Sequence, residues 1–405
     1  MYQPASVRRV VCAILLIVLS ALLVVPFTAA NAPAVPFSET RLPLLLVGQF
    51  GRGAVADEEM VMVDQAGRIF VIDPYVRQGT TPVNWQSPSL YWVGVVLGDF
   101  NGDGDQEILA MKESRVQVFD PVVSGLAASG QWNLDAPLEW YNINTGDFDD
   151  DGRDEIVLLR TDNGTGGIIS RLLVFDGNAQ GTTWTRTLNQ GNAAYWDDVA
   201  TGDANADGRD DLGLIRNVDN RLMILSGATS IKLHEKTYGF PWLDLEFINT
   251  HDVVGAEKWE IVLSRQDVVT ALPSLLVFRW NGGPTLSDIY QDFFYPYFTD
   301  IEGGDLNGDG DEEILLYRES NASVALASRN IAGASMRAFE PSGGNNPGIG
   351  WQNLKAGDIE GDGRDEVVLV RPSKYRVYNR PESDDHYYEV SGSFRASFAV
   401  GDLDG

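Results

Sequence analysis

Apolar residues come in short runs rather than in long stripes. EILAM begins at Glu107, EIVLL at Glu155, DLGLI at Asp211, EILLY at Glu313 and EVVLV at Glu366, each preceded by a cluster of Gly, Asp and Asn. A second run follows several of them after a polar break: RVQVF from Arg115, RLLVF from Arg171 and RLMIL from Arg221. Runs this short, rich in β-branched residues and bounded by turn formers, predict strands. Beyond residue 32 nothing sustains a 3.6-residue period with capping residues, so helices are not expected.

The runs belong to a repeat. GDFNGDGDQEILAM at 98, GDFDDDGRDEIVLL at 146, GDANADGRDDLGLI at 202, GDLNGDGDEEILLY at 304 and GDIEGDGRDEVVLV at 357 share one plan. Degenerate copies, GQFGRGAVADEEMVMV at 48 and THDVVGAEKWEIVL at 250, fill the gaps. Leading positions fall at 49, 99, 147, 203, 252, 305 and 358, with an eighth at Asp402. An aromatic stands seven residues before the leading Asp in every intact copy: Trp92, Trp140, Trp196, Phe298 and Trp351. About fifty residues hold four strands of about 5–6 residues with their turns, the content of one β-propeller blade. The expectation is an all-β chain: a β-propeller with seven full four-stranded blades and the start of a further repeat.

The segment before each strand has the chemistry of a calcium cage. Calcium takes 6–8 hard oxygen ligands, and a short loop supplies them when oxygen-bearing side chains alternate with residues that point away. Counting from the leading Asp, positions 1, 3 and 5 are Asp99, Asn101, Asp103; Asp147, Asp149, Asp151; Asp203, Asn205, Asp207; Asp305, Asn307, Asp309; and Asp358, Glu360, Asp362. Position 6 is always glycine, which allows a sharp turn and lets the position-7 carbonyl point inward. Those carbonyls belong to Asp105, Arg153, Arg209, Asp311 and Arg364, and the acids at position 9 are Glu107, Glu155, Asp211, Glu313 and Glu366. An EF-hand needs a bidentate Glu at position 12 and flanking helices. Here position 12 is Ala110, Leu158, Leu214, Leu316 and Leu369, so the cage must close at position 9. Good hairpin turns explain the glycine but not the spaced carboxylates.

These loops resemble the FG-GAP or VCBS repeats of integrin-α-type β-propellers, whose loop D-x-[DN]-x-D-G-x-x-D lies between the first two strands of a blade. The resemblance runs over residues 43–405. It departs from that pattern in having Glu at position 9 in four loops, in Glu360, and in the copies at 49 and 252, which are expected to hold no calcium. It implies a calcium-binding module that engages a protein or glycan ligand on a propeller face at the cell surface, with a binding role expected over an enzymatic one.

Charge agrees with a cation partner. The 405 residues carry a formal charge of -28, which argues against nucleic acid, because phosphate binding needs clustered Lys and Arg. The five nine-residue loops alone hold 24 of the 58 acidic residues. Arg8 and Arg9 precede an apolar run from Val10 to Phe27 and a small-residue stretch, Thr28 to Ala32, as in a secretory signal peptide. The expected organisation is a signal peptide over 1–32, a short segment over 33–42, and the propeller over 43–405, with export as the fate and a membrane attachment only if the leader stays uncleaved. The single cysteine, Cys12, lies in that leader, so the mature chain has no disulfide and metal ions are the substitute staple.

Other chemistry is thin. His234, His251 and His386 lack metal-ligand spacing, and no G-x-S-x-G, P-loop or H-E-x-x-H occurs. Trp242, Tyr290, Tyr295 and Tyr297 are candidates for sugar stacking, with blade core as the stronger expectation. The rival functions are a calcium-dependent polysaccharide lyase, for which no base and Arg or Lys constellation is recognisable, and a scaffold for a further domain. Asp402 and Asp404 open another cage in GDLDG. The expectation there is an incomplete chain, with Ser393 to Val400 an open-edged strand and PLLLVGQF at 43–50 the first strand of the first blade.

Overall fold

Strand pairing repeats with one register. The computed structural model describes residues 58–72, 85–87, 91–112, 115–120, 134–135, 140–164, 167–176, 182–187, 196–250, 259–265, 275–282, 285–292, 298–318, 323–327, 353–380, 385–391 and 394–401. All of them lie in the unit Leu42–Gly405. They form strands and turns without a helix, and none of their elements is a helix long and apolar enough to cross a membrane.

Among the described residues there are seven antiparallel sheets. One holds β1 (Glu59–Asp64), β2 (Ile69–Ile72) and the last strand of the chain. The second holds β3 (Gly94–Gly98), β4 (Glu107–Lys112), β5 (Arg115–Phe119) and β6 (Leu134–Asp135). The third holds β7 (Trp140–Gly146), β8 (Glu155–Gly164), β9 (Gly167–Phe175) and β10 (Thr182–Thr187). The fourth holds β11 (Asp198–Gly202), β12 (Asp211–Arg216), β13 (Arg221–Ser226) and β14 (Lys232–Thr237). The fifth holds β15 (Trp242–Ile248), β16 (Glu260–Arg265), β17 (Leu275–Trp280) and β18 (Leu286–Asp292). The sixth holds β19 (Asp300–Gly304), β20 (Glu313–Arg318) and β21 (Ser323–Ala327). The seventh holds β22 (Asn353–Gly357), β23 (Glu366–Arg371), β24 (Lys374–Arg380) and β25 (Asp385–Ser391), and the last strand is β26 (Phe394–Gly401).

In every intact repeat the residue before position 1 pairs with the acid at position 9: Gly98 with Glu107, Gly146 with Glu155, Gly202 with Asp211, Gly304 with Glu313 and Gly357 with Glu366. The acidic loop is therefore the connection of the first hairpin in each sheet. First strands also neighbour one another in succession, β3 with β7, β7 with β11, β11 with β15, β15 with β19, β19 with β22 and β22 with β26, and β26 lies beside β3.

Between neighbouring sheets sit apolar layers. Leu159, Val174, Val199 and Leu212 fill one junction, Phe247, Ile261, Ile215 and Ile224 the next, and Ile248, Val262, Ile301 and Ile314 another. Burial on both faces explains why strands such as β12, every residue of which is buried, read as continuous apolar runs rather than as alternating ones. The position-12 residues Ala110, Leu158, Leu214, Leu316 and Leu369 are buried among these layers.

Two expectations need correction. The strand Phe394–Gly401 is not open-edged. It pairs antiparallel with β1, Gly401 opposite Glu59 and Val400 opposite Met60, in the register of every other first hairpin. Glu59 and Met60 are followed by a buried apolar strand that would otherwise expose its ladder, and β26 supplies the missing partner. The second correction concerns the degenerate copy at 252. Ile248 pairs with Glu260, so Asn249 rather than Asp252 holds position 1, and Trp242 is its aromatic seven residues earlier. Trp242 is fully buried and thus no exposed sugar platform. The 43–50 segment, Gln49, Asp252, Trp351, Asp402 and Asp404 lie outside the described residues.

Removing residues 394–405 is expected to strip hydrogen-exchange protection from the 59–64 segment. Unchanged protection there would show that another segment serves as the partner of β1.

Candidate metal centres

The loops are built around two left-handed residues. At position 6, Gly104, Gly152, Gly208, Gly310 and Gly363 have φ of 99, 79, 83, 90 and 83°. No atom lies within 4 Å of where a Cβ would stand at Gly104, Gly152, Gly310 or Gly363, so the angle and not the space demands glycine. Position 4 is also left-handed, at Gly102, Asp150, Ala206, Gly308 and Gly361, with φ of 78, 63, 58, 77 and 62°. A Cβ on Gly102 would come within 2.9 Å of the Arg153 Cγ, and one on Gly308 within 3.0 Å of the Arg364 Cγ. Arg153 and Arg364 thus lie over the preceding loop.

The first acid organises its own loop. Asp99 accepts from the backbone N–H of Gly102 (2.6 Å) and Gly104 (3.0 Å), and Asp305 from Gly308 (2.7 Å), Asp309 (3.1 Å) and Gly310 (2.8 Å). Asp147 takes Asp150 (2.7 Å) and Gly152 (3.0 Å), Asp203 takes Asp207 (3.1 Å) and Gly208 (2.8 Å), and Asp358 takes Asp362 (2.8 Å) and Gly363 (2.7 Å). Position 5 caps the next turn where Asp103, Asp207 and Asp309 accept from the N–H of Asp105, Arg209 and Asp311, each at 3.1 Å. The guanidinium of Arg153 reaches Asp151 at 3.2 Å.

At the other end, the position-9 acids are buried. Glu107, Glu155 and Glu313 accept the position-2 N–H of Phe100 (2.9 Å), Phe148 (2.9 Å) and Leu306 (3.0 Å), while Glu366 accepts the position-3 N–H of Glu360 (3.1 Å). Asn101, Asn205 and Asn307 turn their amide N–H onto Glu107 (2.5 Å), Asp211 (2.8 Å) and Glu313 (2.6 Å). An amide carries an oxygen as well as donors, so position 3 suits either the acid or a cation. In the second loop, carboxylate oxygens of Asp147, Asp149 and Asp151 all lie within 4.8 Å of one another; among the described residues no other trio of acids gathers so closely.

This concentration of carboxylates has an electrostatic cost. Burial first, and neighbouring acids after it, push Glu107, Glu155 and Asp211 up to about 8, Glu313 to about 7 and Glu366 to about 9. Hard oxygen donors, a cluster short of positive charge and a sharp left-handed turn fit a divalent cation of the calcium type. The residues that would hold it are those at positions 1, 3, 5 and 9, and the ion would supply the missing positive charge.

Position 8 escaped the sequence reading. The N–H of Asp154, Asp210 and Asp365 donates to the position-1 carbonyl of the preceding repeat, at Asp99 (2.8 Å), Asp147 (2.9 Å) and Asp305 (2.9 Å). Their carboxylates accept in return from the position-1 N–H, at 3.0, 3.1 and 2.8 Å. Glu312 clasps Asn249 the same way, with bonds of 3.0 and 2.7 Å. The sequence signal was the doubled acid at positions 8 and 9, as in DE, DD and EE. Burial pushes Asp210 and Asp365 up to about 7 and Glu312 to about 8.

A second polar cluster joins three consecutive first strands. Lys355 on β22 forms a buried ion pair with Glu302 on β19. Burial opposes the Lys355 ammonium, yet Glu302, Asp300 and Glu246 hold its pKa above the ordinary value. On the neighbouring β15, Glu246 is pushed well above the carboxylate range by burial and then by Glu302, and its Oε1 has no hydrogen-bond partner. His234 is buried, His251 lies outside the described residues, and His386 sits on β25.

Comparison with known proteins agrees with this geometry at the level of fold. Residues 99–158 match the FG-GAP-like repeat family. The sequence has no significant match among curated proteins. The fold is propeller-like. It is similar to an Agrocybe aegerita lectin that recognises non-reducing terminal N-acetylglucosamine (13% identity, 87% of this chain and 96% of that chain, TM-score 0.54). It is also similar to BBS1N in complex with ARL6DN (9% identity, 86% and 90%, TM-score 0.52) and to Sqt1 of Saccharomyces cerevisiae (9% identity, 84% and 87%, TM-score 0.50).

Ala206 is the non-glycine residue at position 4 that has neither glycine's freedom nor the local hydrogen bonding of an Asp side chain. Ala206→Gly should therefore stabilise the protein by about 1 kcal/mol in chemical denaturation; a lower midpoint than wild type would contradict the strain. A pH dependence follows as well. The position-9 acids have folded pKa values above their unfolded ones, so their contribution is complete below pH ~4.3 and is lost as pH climbs through 7 to 9. In chelator the melting temperature should fall from pH 5 to pH 9, and calcium should flatten that slope. A metal-free melting temperature constant over this range would rule the coupling out.

Proposed function

We propose that the protein is an exported, calcium-stabilised β-propeller of seven blades that binds a protein or glycan ligand at the cell surface. Support for the ring comes from the order of first strands, which returns from β26 to β3, and from β26 completing the sheet of β1. Export rests on the leader pattern around Arg8, Arg9 and the apolar run that follows. A binding role is favoured by fold relatives that hold a terminal sugar or a protein partner.

The observation that carries the calcium reading is the gathering of Asp147, Asp149 and Asp151 within 4.8 Å beside the buried Glu155, on a donor pattern repeated in the other loops. In this reading the position-1 acid shapes the loop and faces the ion, positions 3 and 5 complete the outer side, and position 9 closes it from the strand. Neutralisation lets the buried acids stay ionised without repelling one another.

Five ions per chain are expected, one for each intact loop, with affinities around 10⁻⁴ to 10⁻³ M. Ten-fold saturation of one site stabilises by about 1.4 kcal/mol, so chelation should lower the melting temperature, and Asp151→Ala should cost more than Asp150→Ala. Two or fewer ions by metal analysis at saturating calcium would sink the calcium reading. For the binding role, the measurement is a glycan and extracellular-matrix array run with and without calcium. Retention of no glycan or matrix protein in calcium would count against it.

A further inference from the structure

The sheet of β15 to β18 keeps the register of the others with different chemistry. Asn249 holds position 1 and is clasped by Glu312; Thr250 holds position 2, and Glu260, across a loop longer than the intact ones, takes the place of position 9 by strand register. Glu260 is fully buried. Its Oε2 accepts from the Thr250 N–H (3.3 Å) and from the Thr250 hydroxyl (2.7 Å), which reproduces the bond that position 2 gives to Glu107, Glu155 and Glu313.

The other oxygen is where this repeat departs. In the loops of Glu107 and Glu313, Oε1 meets the position-3 amide, on the side that faces the loop's own donors. In Glu260 that oxygen accepts from Nε of Arg279 at 2.9 Å and forms an ion pair with its Nη2. Arg279 reaches it from β17, where Ile261 pairs with Phe278 and so sets Arg279 opposite Glu260. The same ladder position is Asp120 opposite Glu107, Asp176 opposite Glu155, Ser226 opposite Asp211 and Asn379 opposite Glu366. Where these four repeats carry an acid or a neutral residue, this one carries a permanent cation.

We propose that Arg279 is a resident cation that takes the place of a metal ion in this repeat and makes its first hairpin independent of metal. The inference rests on the calcium reading of the intact loops. A guanidinium is always charged and presents several N–H donors in a planar fork, so it satisfies a buried carboxylate oxygen by charge and by hydrogen bonds together. A metal does the same for the position-9 acids elsewhere. Cross-strand placement makes the exchange simple: one side chain on the third strand changes sign, and the acid on the second strand stays.

The test is hydrogen exchange followed on the 259–265 and 211–216 segments of the full chain, in calcium and in chelator. In the wild-type chain, chelator should raise exchange of 211–216 ten-fold or more and leave 259–265 unchanged. Arg279→Gln should raise exchange of 259–265 ten-fold or more in both buffers. Because that variant also loses packing, Glu260→Gln is added to it: removing the buried charge should restore most of the protection. A response of 259–265 to chelator in the wild type overturns the proposal, as does unchanged protection in Arg279→Gln or no rescue in the double variant. A flat response at 211–216 counts instead against calcium in the intact loops, and the two Gln variants, which need no metal, still decide whether Arg279 is the cation of its own repeat.

Discussion

Successive repeats are joined by a two-way hydrogen bond between one backbone position and one acid. The position-8 N–H meets the position-1 carbonyl of the preceding loop, and the position-8 carboxylate takes back the position-1 N–H, as between Asp210 and Asp147. Position 1 is also the residue whose own carboxylate folds the loop by accepting from positions 4 to 6. One residue therefore has its backbone held by the next repeat and its side chain by its own loop. Loop shape and repeat spacing are fixed together. Where position 8 is Trp259, the backbone half of the clasp to Asp203 remains at 3.1 Å, which shows that the spacing is set by the main chain and reinforced by the acid.

This economy of design concentrates negative charge. Positions 1, 8 and 9 of adjoining repeats bring three carboxylates to the junctions of Asp99, Asp147 and Asp305, and burial raises the free energy of the ionised forms. A buried acid can be relieved by a proton, by a cation from solution or by a cation of the chain. The raised pKa values of Glu107 and Glu366 correspond to the first route, the donor sets of the intact loops suit the second, and Arg279 beside Glu260 is the third.

How much of this was legible in the sequence depended on whether a residue's role was local. Alternating oxygens, the glycine at position 6 and the strand after each loop all act within about a dozen residues, and periodicity exposes them. Position 8 could not be read this way, because its partner stands in the preceding repeat: Asp154 and Asp99 are 55 residues apart. Position 4 was hidden for another reason. Its left-handed backbone tolerates Asp150 and Ala206, so composition there does not announce the angle. Asn249 was hidden because Asp252 stands at the intact-loop spacing before Glu260, whereas the strand register, which sequence does not display, selects Asn249. The Lys355, Glu302 and Glu246 cluster brings together one residue from each of three repeats and has no local pattern at all.

The same register governs the sheet of β1. β26 ends at Gly401 opposite Glu59, as Gly98 stands opposite Glu107. Glu58, at the place of position 8, donates its N–H to the Asp358 carbonyl at 2.9 Å, which is the backbone half of the clasp. The first sheet is thus assembled from two distant parts of the chain, yet it obeys the rule of the sheets made from contiguous sequence. A rule that depends on strand register and one main-chain bond does not require its strands to be joined in order. A segment that pairs with β1 in this register must also fit the first strands on both sides. β26 meets that condition by packing between β22 and β3.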